Sequence, residues 1–164
     1  MHELKSEVYT DRTFWDRFIE DLDQARYRVI IQSPFITHRR LDFLSHRFNK
    51  LINRGVTICT FIQEPSTWKK EENAEQNELE FKALMKSQNS LHLHPNTKAK
   101  IHEKLAIIDD SVLWEGSLNI LSHANTRERM RRFTEKSEIE NAINQHGLYD
   151  CEICVRAYQR YGGG

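Results

Sequence analysis

Apolar positions recur with two different periods along this chain, and the switches between them mark its elements. From Thr13 to Gln24 the residues Phe14, Trp15, Phe18, Ile19 and Leu22 fall on one helical face, with Asp11 as the expected cap. Tyr27 to Gln32 is instead a short, β-branched-rich run broken by Ser33-Pro34, the pattern of a buried strand. Arg39 to Arg54 returns to helical spacing at Leu41, Leu44, Phe48 and Leu51, stops at Gly55 and hands over to a strand from Val56 to Gln63. That strand, helix and strand succession predicts a βαβ unit with parallel neighbours.

Glu64 to Gln76 is polar, begins with Pro65 and contains Trp68, which reads as a loop before a helix over Glu75 to Lys86. Leu91 to His94 is expected as a brief strand. Ile101 to Ile108 and Ser111 to Glu115 are expected as two more, joined by a turn at Asp109-Asp110. A strand near Arg129 to Phe133 follows, then a helix whose Ser137-Glu138-Ile139-Glu140 start fits a capping box. The expectation is an α/β fold: a mixed, largely parallel central sheet flanked by helices on both faces. Residues 1–147 form one domain in this reading, and 148–164 a tail with a lone Cys-x-x-Cys pair, Cys151 and Cys154.

Candidate chemistry concentrates on the two late strands. Residues 102 to 119 read H-x-K-x4-D-x6-G-S-x-N, with His102, Lys104, Asp109, Gly116, Ser117 and Asn119 in the fixed positions. On a strand, residues two apart share a face, so His102 and Lys104 are expected side by side, and Ser117 and Asn119 likewise on the next strand. An imidazole, an ammonium, a hydroxyl and a carboxamide around one small volume suit a nucleophile attacking phosphorus, with partners for the phosphate oxygens. A lone H-x-K pair is usually an ordinary surface feature; the full spacing is what carries the signal.

This spacing resembles the signature of the phospholipase D superfamily, whose members cleave phosphodiesters without a metal. The likeness extends to Ile30-Ile31-Gln32-Ser33-Pro34-Phe35-Ile36 and Arg54-Gly55-Val56-Thr57-Ile58 and covers roughly residues 5 to 145. The chain holds one copy of the motif where the family's site uses two, so the resemblance implies a homodimer with a shared site. It implies His102 as nucleophile, Lys104 and Asn119 on the phosphate oxygens, Ser117 on the imidazole or a phosphate oxygen, and no cofactor or metal. It also implies an acidic residue that orients the histidine, for which Glu128 is the candidate and Glu135 the second. Asp109 belongs to the signature, although its alternate-face position and adjacent turn point as much to a structural role. The Gly116 to His123 segment also looks like phospholipase D-like domains attached to helicases and ATPases, which makes such a motor a candidate partner.

Composition narrows the substrate. Lys plus Arg and Asp plus Glu both total 24, so a polyanion would be held by local patches rather than by net charge. Lys98, Lys100 and Lys104 form one patch, and Arg127, Arg129, Arg131 and Arg132 another, while acid gathers at Glu71 to Glu80. Lys100 and Arg127 are therefore candidate substrate contacts; Gly116 joins them as a point of close backbone approach, and His123 because the resemblance implies that its loop lies near the active mouth. His92 and His94 precede the motif, but few carboxylates lie near them, so they are read as groove or structural residues rather than metal ligands. No stretch is apolar enough to span a membrane, and the N-terminus lacks a signal-peptide core. Three cysteines are too sparse for a disulfide framework, which agrees with a cytoplasmic location. The expected activity is DNA or RNA cleavage; a non-turning-over nucleic-acid module is the alternative and phospholipid hydrolysis the third reading.

Overall fold

Five successive residues, Arg28 to Gln32, are all buried, which requires cover on both faces of the strand they form. The computed structural model, which describes residues 6–65, 74–122 and 127–148, supplies that cover. The order is β1 (Ser6–Thr10), α1 (Phe14–Asp23), β2 (Arg28–Gln32), α2 (His38–Asn53), β3 (Thr57–Gln63), α3 (Ala74–Ser90) and β4 (His94–Lys98). Then come β5 (Lys104–Ile108), β6 (Val112–Gly116), β7 (Arg129–Phe133) and α4 (Lys136–Gln145). The strands form one seven-stranded sheet in the order β1-β7-β6-β5-β2-β3-β4.

The sheet is mixed, as expected, and the parallel part is the predicted βαβ unit extended by one strand: β2 with β3, and β3 with β4. The other four pairings are antiparallel, so it is less parallel than expected. Helices cover both faces. Phe14, Phe18 and Leu22 of α1 and Leu41, Leu44, Phe48 and Leu51 of α2 join Val29, Ile31, Ala106 and Trp114 in the larger core. On the opposite face Ile139, Ala142 and Ile143 of α4 pack with Ile30, Phe61, Leu105 and Ile107.

Where the elements depart from the sequence reading, a local cause is visible. β4 is His94–Lys98 rather than Leu91–His94, because His92 turns at φ 61 and the strand starts after it. Pro95 reads as a breaker, yet β4 is an edge strand, where a missing N–H is tolerated. β5 begins at Lys104, so His102 precedes the strand, and β6 ends at Gly116, so Ser117 and Asn119 lie in the loop after it. Helix α1 is capped at Thr13, not Asp11, whose N–H bonds the Glu128 carbonyl at 3.1 Å. The N-cap of α4 is Glu135 and makes no side-chain cap bond, so the capping box is not formed. Strand β1 carries no apolar run and was not anticipated; it is held by full register with β7.

Cys59, buried in β3, is disulfide-bonded, although the cysteine count reads as too sparse for a disulfide framework. The Cys151 and Cys154 pair and the tail lie outside the described residues. Among the described residues no helix is long and apolar enough to cross a membrane.

A buried charge cluster ties α1 to the sheet. The Asp21 carboxylate, 5% exposed, accepts Arg132 Nε and Nη2, both at 2.8 Å, and Trp114 Nε1 at 2.9 Å. The two-pronged guanidinium bond raises the Arg132 pKa and lets a cation be buried beneath Trp114.

Candidate active site

Alternating strand directions bring His102 and Lys104 to the same end of the sheet as the Gly116–Asn119 part of the motif. β2 and β6 finish there and β5 and β7 begin there, with Lys104 directly opposite Gly116 and Gly116 opposite Met130. His102 is exposed two residues before β5, and Lys104 is half-buried at its first position.

Ser117 is engaged by the neighbouring strand. Its Oγ accepts the Arg129 N–H at 3.0 Å, and its own N–H and hydroxyl both donate to the Arg129 carbonyl, at 3.0 and 3.3 Å. That places the hydroxyl as a clasp between β6 and β7. Asn119 follows in a loop anchored by buried Leu118, Ile120 and Leu121. Thr37 N–H donates to the Leu121 carbonyl at 2.8 Å, and Leu121 N–H to Ser33 Oγ at 3.4 Å, so this loop is stitched to the end of β2. The Asn119 Oδ1 is buried and has no hydrogen-bond partner among the described residues. A buried amide oxygen left unpaired costs about 1–3 kcal/mol, a price usually met only where a further donor arrives.

Gly116 has a tighter role than substrate approach. A Cβ there would sit 2.2 Å from the Arg129 carbonyl oxygen and 2.9 Å from Met130 Cα, both backbone atoms of β7. Gly116→Ala is therefore expected to push β6 and β7 apart, lower stability by about 1–3 kcal/mol and disturb the Ser117 clasp. Urea unfolding of the variant checks it.

Asp109 lies elsewhere. It is five positions beyond Lys104, at the far end of β5, roughly 17 Å along the strand. With φ 54, its carboxylate accepts the N–H groups of Arg26 (2.9 and 3.2 Å), Tyr27 (2.9 Å) and Arg28 (3.1 Å), while Arg28 Nε donates to its carbonyl at 3.0 Å. The motif's aspartate thus anchors the entry to β2. Glu128 stays at the motif end: with Thr10, Asp11, Arg12, Arg127 and Arg129 it lines an open depression of about 410 Å³. Glu135 caps α4, beyond the opposite end of β7, and is not part of this cluster. Lys100 is exposed two residues before His102, Arg127 is exposed in the depression, and His123 lies outside the described residues. His92 is in the turn before β4, and burial lowers the pKa of His94. Among the described residues no three His, Cys, Asp or Glu side chains converge to hold a metal ion.

Two glutamines that sequence reasoning passed over flank the histidine. Gln63 Oε1 accepts the Ile101 N–H at 3.2 Å, and Gln32 Nε2 donates to the Glu103 carbonyl at 2.8 Å. The signal was present: Gln32 is a polar residue closing a run of apolar ones.

The comparisons bear on the fold and the family. No curated protein sequence matches the chain. Among solved structures, Nuc from Salmonella typhimurium, described as a phospholipase D family member, superposes with a TM-score of 0.64 at 14% identity, covering 87% of this chain and 91% of that one. NucT from Helicobacter pylori gives 0.61 at 20% identity, covering 89% and 95%. TrmBL2, an archaeal chromatin protein, gives 0.54 at 11% identity, covering 87% and 51%. At these identities the structures share the fold. Family membership comes from the sequence: the family model "Cardiolipin synthase, PLD-like domain" matches residues 18–145. The chain is thus a member of the phospholipase D superfamily, a PLD-like domain in which His102, Lys104 and the Gly116–Asn119 part of the motif lie at one end of a mixed seven-stranded sheet and Asp109 at the other.

Proposed function

We propose that this PLD-like domain is a metal-independent phosphodiesterase that cleaves DNA or RNA through a phosphohistidine, at a site completed by a second copy of the chain. The observation that carries the reading is the register of Lys104 against Gly116, which brings exposed His102, half-buried Lys104 and the Asn119 loop to one end of the sheet. The Asn119 Oδ1, unpartnered among the described residues, supports a site that a further donor completes.

In this mechanism the neutral imidazole of His102 attacks phosphorus, forming an N–P bond as the P–O bond to the leaving group breaks. The leaving oxygen takes a proton from the second subunit's His102. That imidazole then removes a proton from water, which attacks phosphorus and releases His102. Splitting one displacement into two, each with a placed proton donor or acceptor, replaces a metal-bound hydroxide. Lys104 neutralises charge on the non-bridging oxygens, and Asn119 Nδ2 donates to them. Ser117 acts through the β6–β7 clasp, and Glu128 is the candidate that orients the imidazole. Arg127 and Lys100 would contact flanking phosphates, and His123 is kept as a further candidate. A helicase or ATPase that delivers nucleic acid, and a cytoplasmic setting, belong to the same proposal.

The test is hydrolysis of bis(p-nitrophenyl) phosphate in excess EDTA, with sedimentation to read the oligomeric state. Native protein is expected to turn over as a dimer. Lys104→Met is expected to lose about 10²-fold or more in kcat/KM, the scale of removing one placed donor to a developing anion. Nucleic-acid binding with steep salt dependence and no turnover would instead identify a recognition module.

A further inference from the structure

The segment that carries His102 has left the β ladder before it reaches the histidine. β5 begins at Lys104, whose place is set by pairing with Gly116, and Leu105 is set against Gln32. Residues 101–103 have no such pairing. Two side-chain amides take over from it, one on each side of His102: Gln63 Oε1 on the Ile101 N–H, and Gln32 Nε2 on the Glu103 carbonyl.

Gln32 is built to do this in one orientation. It is 2% exposed, and its Oε1 accepts Lys98 Nζ at 3.0 Å. An ammonium can only donate, so Lys98 claims the oxygen and leaves the amide nitrogen facing Glu103. Lys98 is itself fixed, donating to the His146 carbonyl just past α4 and lying 4.9 Å from the Phe61 ring centroid. The chain of contacts runs from the end of α4 through Lys98 and Gln32 to the Glu103–Lys104 peptide, just after His102. A buried glutamine held by polar partners at both ends of its amide is a specific arrangement at the end of an apolar strand, since a hydrophobic residue would fill the space without it.

We infer that Gln32, oriented by Lys98 and paired with Gln63, is a positioning residue that holds His102 at attacking distance from the phosphate. The inference rests on the reading of His102 as nucleophile. Because Lys104 is held by the ladder and His102 is not, loss of the clamp displaces the nucleophile while leaving the phosphate contact in place. A misplacement on the order of 1 Å costs about 10²-fold in rate.

The experiment compares native protein with Gln32→Leu, Gln32→Glu and Gln88→Leu on bis(p-nitrophenyl) phosphate, alongside thermal melts and NMR relaxation of the 101–104 amides. Gln88→Leu removes another buried glutamine, one bonded to Thr60, and controls for destabilisation alone. Both Gln32 variants are expected to lose about 10²-fold in kcat with KM little changed and with added mobility at residues 101–104. Gln32→Glu can keep Lys98 but its carboxylate cannot donate to the Glu103 carbonyl, so it separates the clamp from the packing. Unchanged relaxation at 101–104 in Gln32→Leu overturns the inference, whether or not the native protein turns over. So does native kcat in Gln32→Glu, or a kcat loss in Gln88→Leu as large as that in Gln32→Leu. Absence of turnover by the native protein counts against the proposed activity, and the relaxation arm still decides the clamp.

Discussion

Replacing His102 by alanine is expected to lower phosphodiester turnover by at least about 10⁴-fold while leaving the fold intact. In the proposed site shared by two copies of the chain, one substitution would remove both the nucleophile and the proton donor, and a placed proton donor alone accounts for about 10²–10⁴. The residue is exposed, so its loss should change stability by no more than about 0.5 kcal/mol. Single-turnover kinetics on the small diester, with a thermal melt of the same sample, check both halves. Residual activity within tenfold of native would remove His102 from the mechanism.

Asp109→Ala is expected to do the reverse, destabilising the protein by about 3–5 kcal/mol with little effect on turnover per folded molecule. Its 2% exposed carboxylate satisfies three consecutive backbone N–H groups at the start of β2, and alanine would leave them unpaired. The left-handed backbone at φ 54 adds a cost, because asparagine and aspartate tolerate that region better than alanine. Asp109→Asn, which keeps one acceptor oxygen and that tolerance, should lose less. Equilibrium urea unfolding, with kcat measured on the folded fraction, separates the two roles. A stable Asp109→Ala protein with turnover reduced as far as in His102→Ala would contradict the structural assignment.

The contrast between these residues shows what the sequence could and could not convey. The H-x-K-x4-D spacing is one string, yet strand length divides it: His102 and Lys104 fall at one end of β5 and Asp109 at the other. The alternate-face argument pointed as much to a structural as to a catalytic Asp109, and its bonds to the Arg26, Tyr27 and Arg28 N–H groups favour the structural role. Helical and strand periods placed α1, α2, β2, β3 and β7 closely, because each buries a regular face. The pattern was weakest where polar residues pair through long-range register. β1 has no apolar stripe and exists through its ladder with β7, and β4 begins at a proline-containing edge. Within the site, side-chain roles were least legible. Ser117 read as a phosphate or imidazole contact, yet it is bound to the Arg129 backbone, a partner twelve residues away that only the fold brings near. Gln32 and Gln63 lie on strands far from His102 in sequence, and although Gln32 stands out as the polar end of an apolar run, its contact beside the histidine is made only by the fold.

The claim that a histidine carries the phosphoryl group is tested most directly by trapping it. Native protein is mixed with a phosphodiester labelled on the phosphoryl side in excess EDTA, quenched in alkali where a phosphohistidine survives, digested, and the labelled peptide is sequenced by mass spectrometry. The account predicts label on His102, lost in His102→Ala. Cleavage without label on His102, or cleavage that stops when divalent ions are removed, would contradict it.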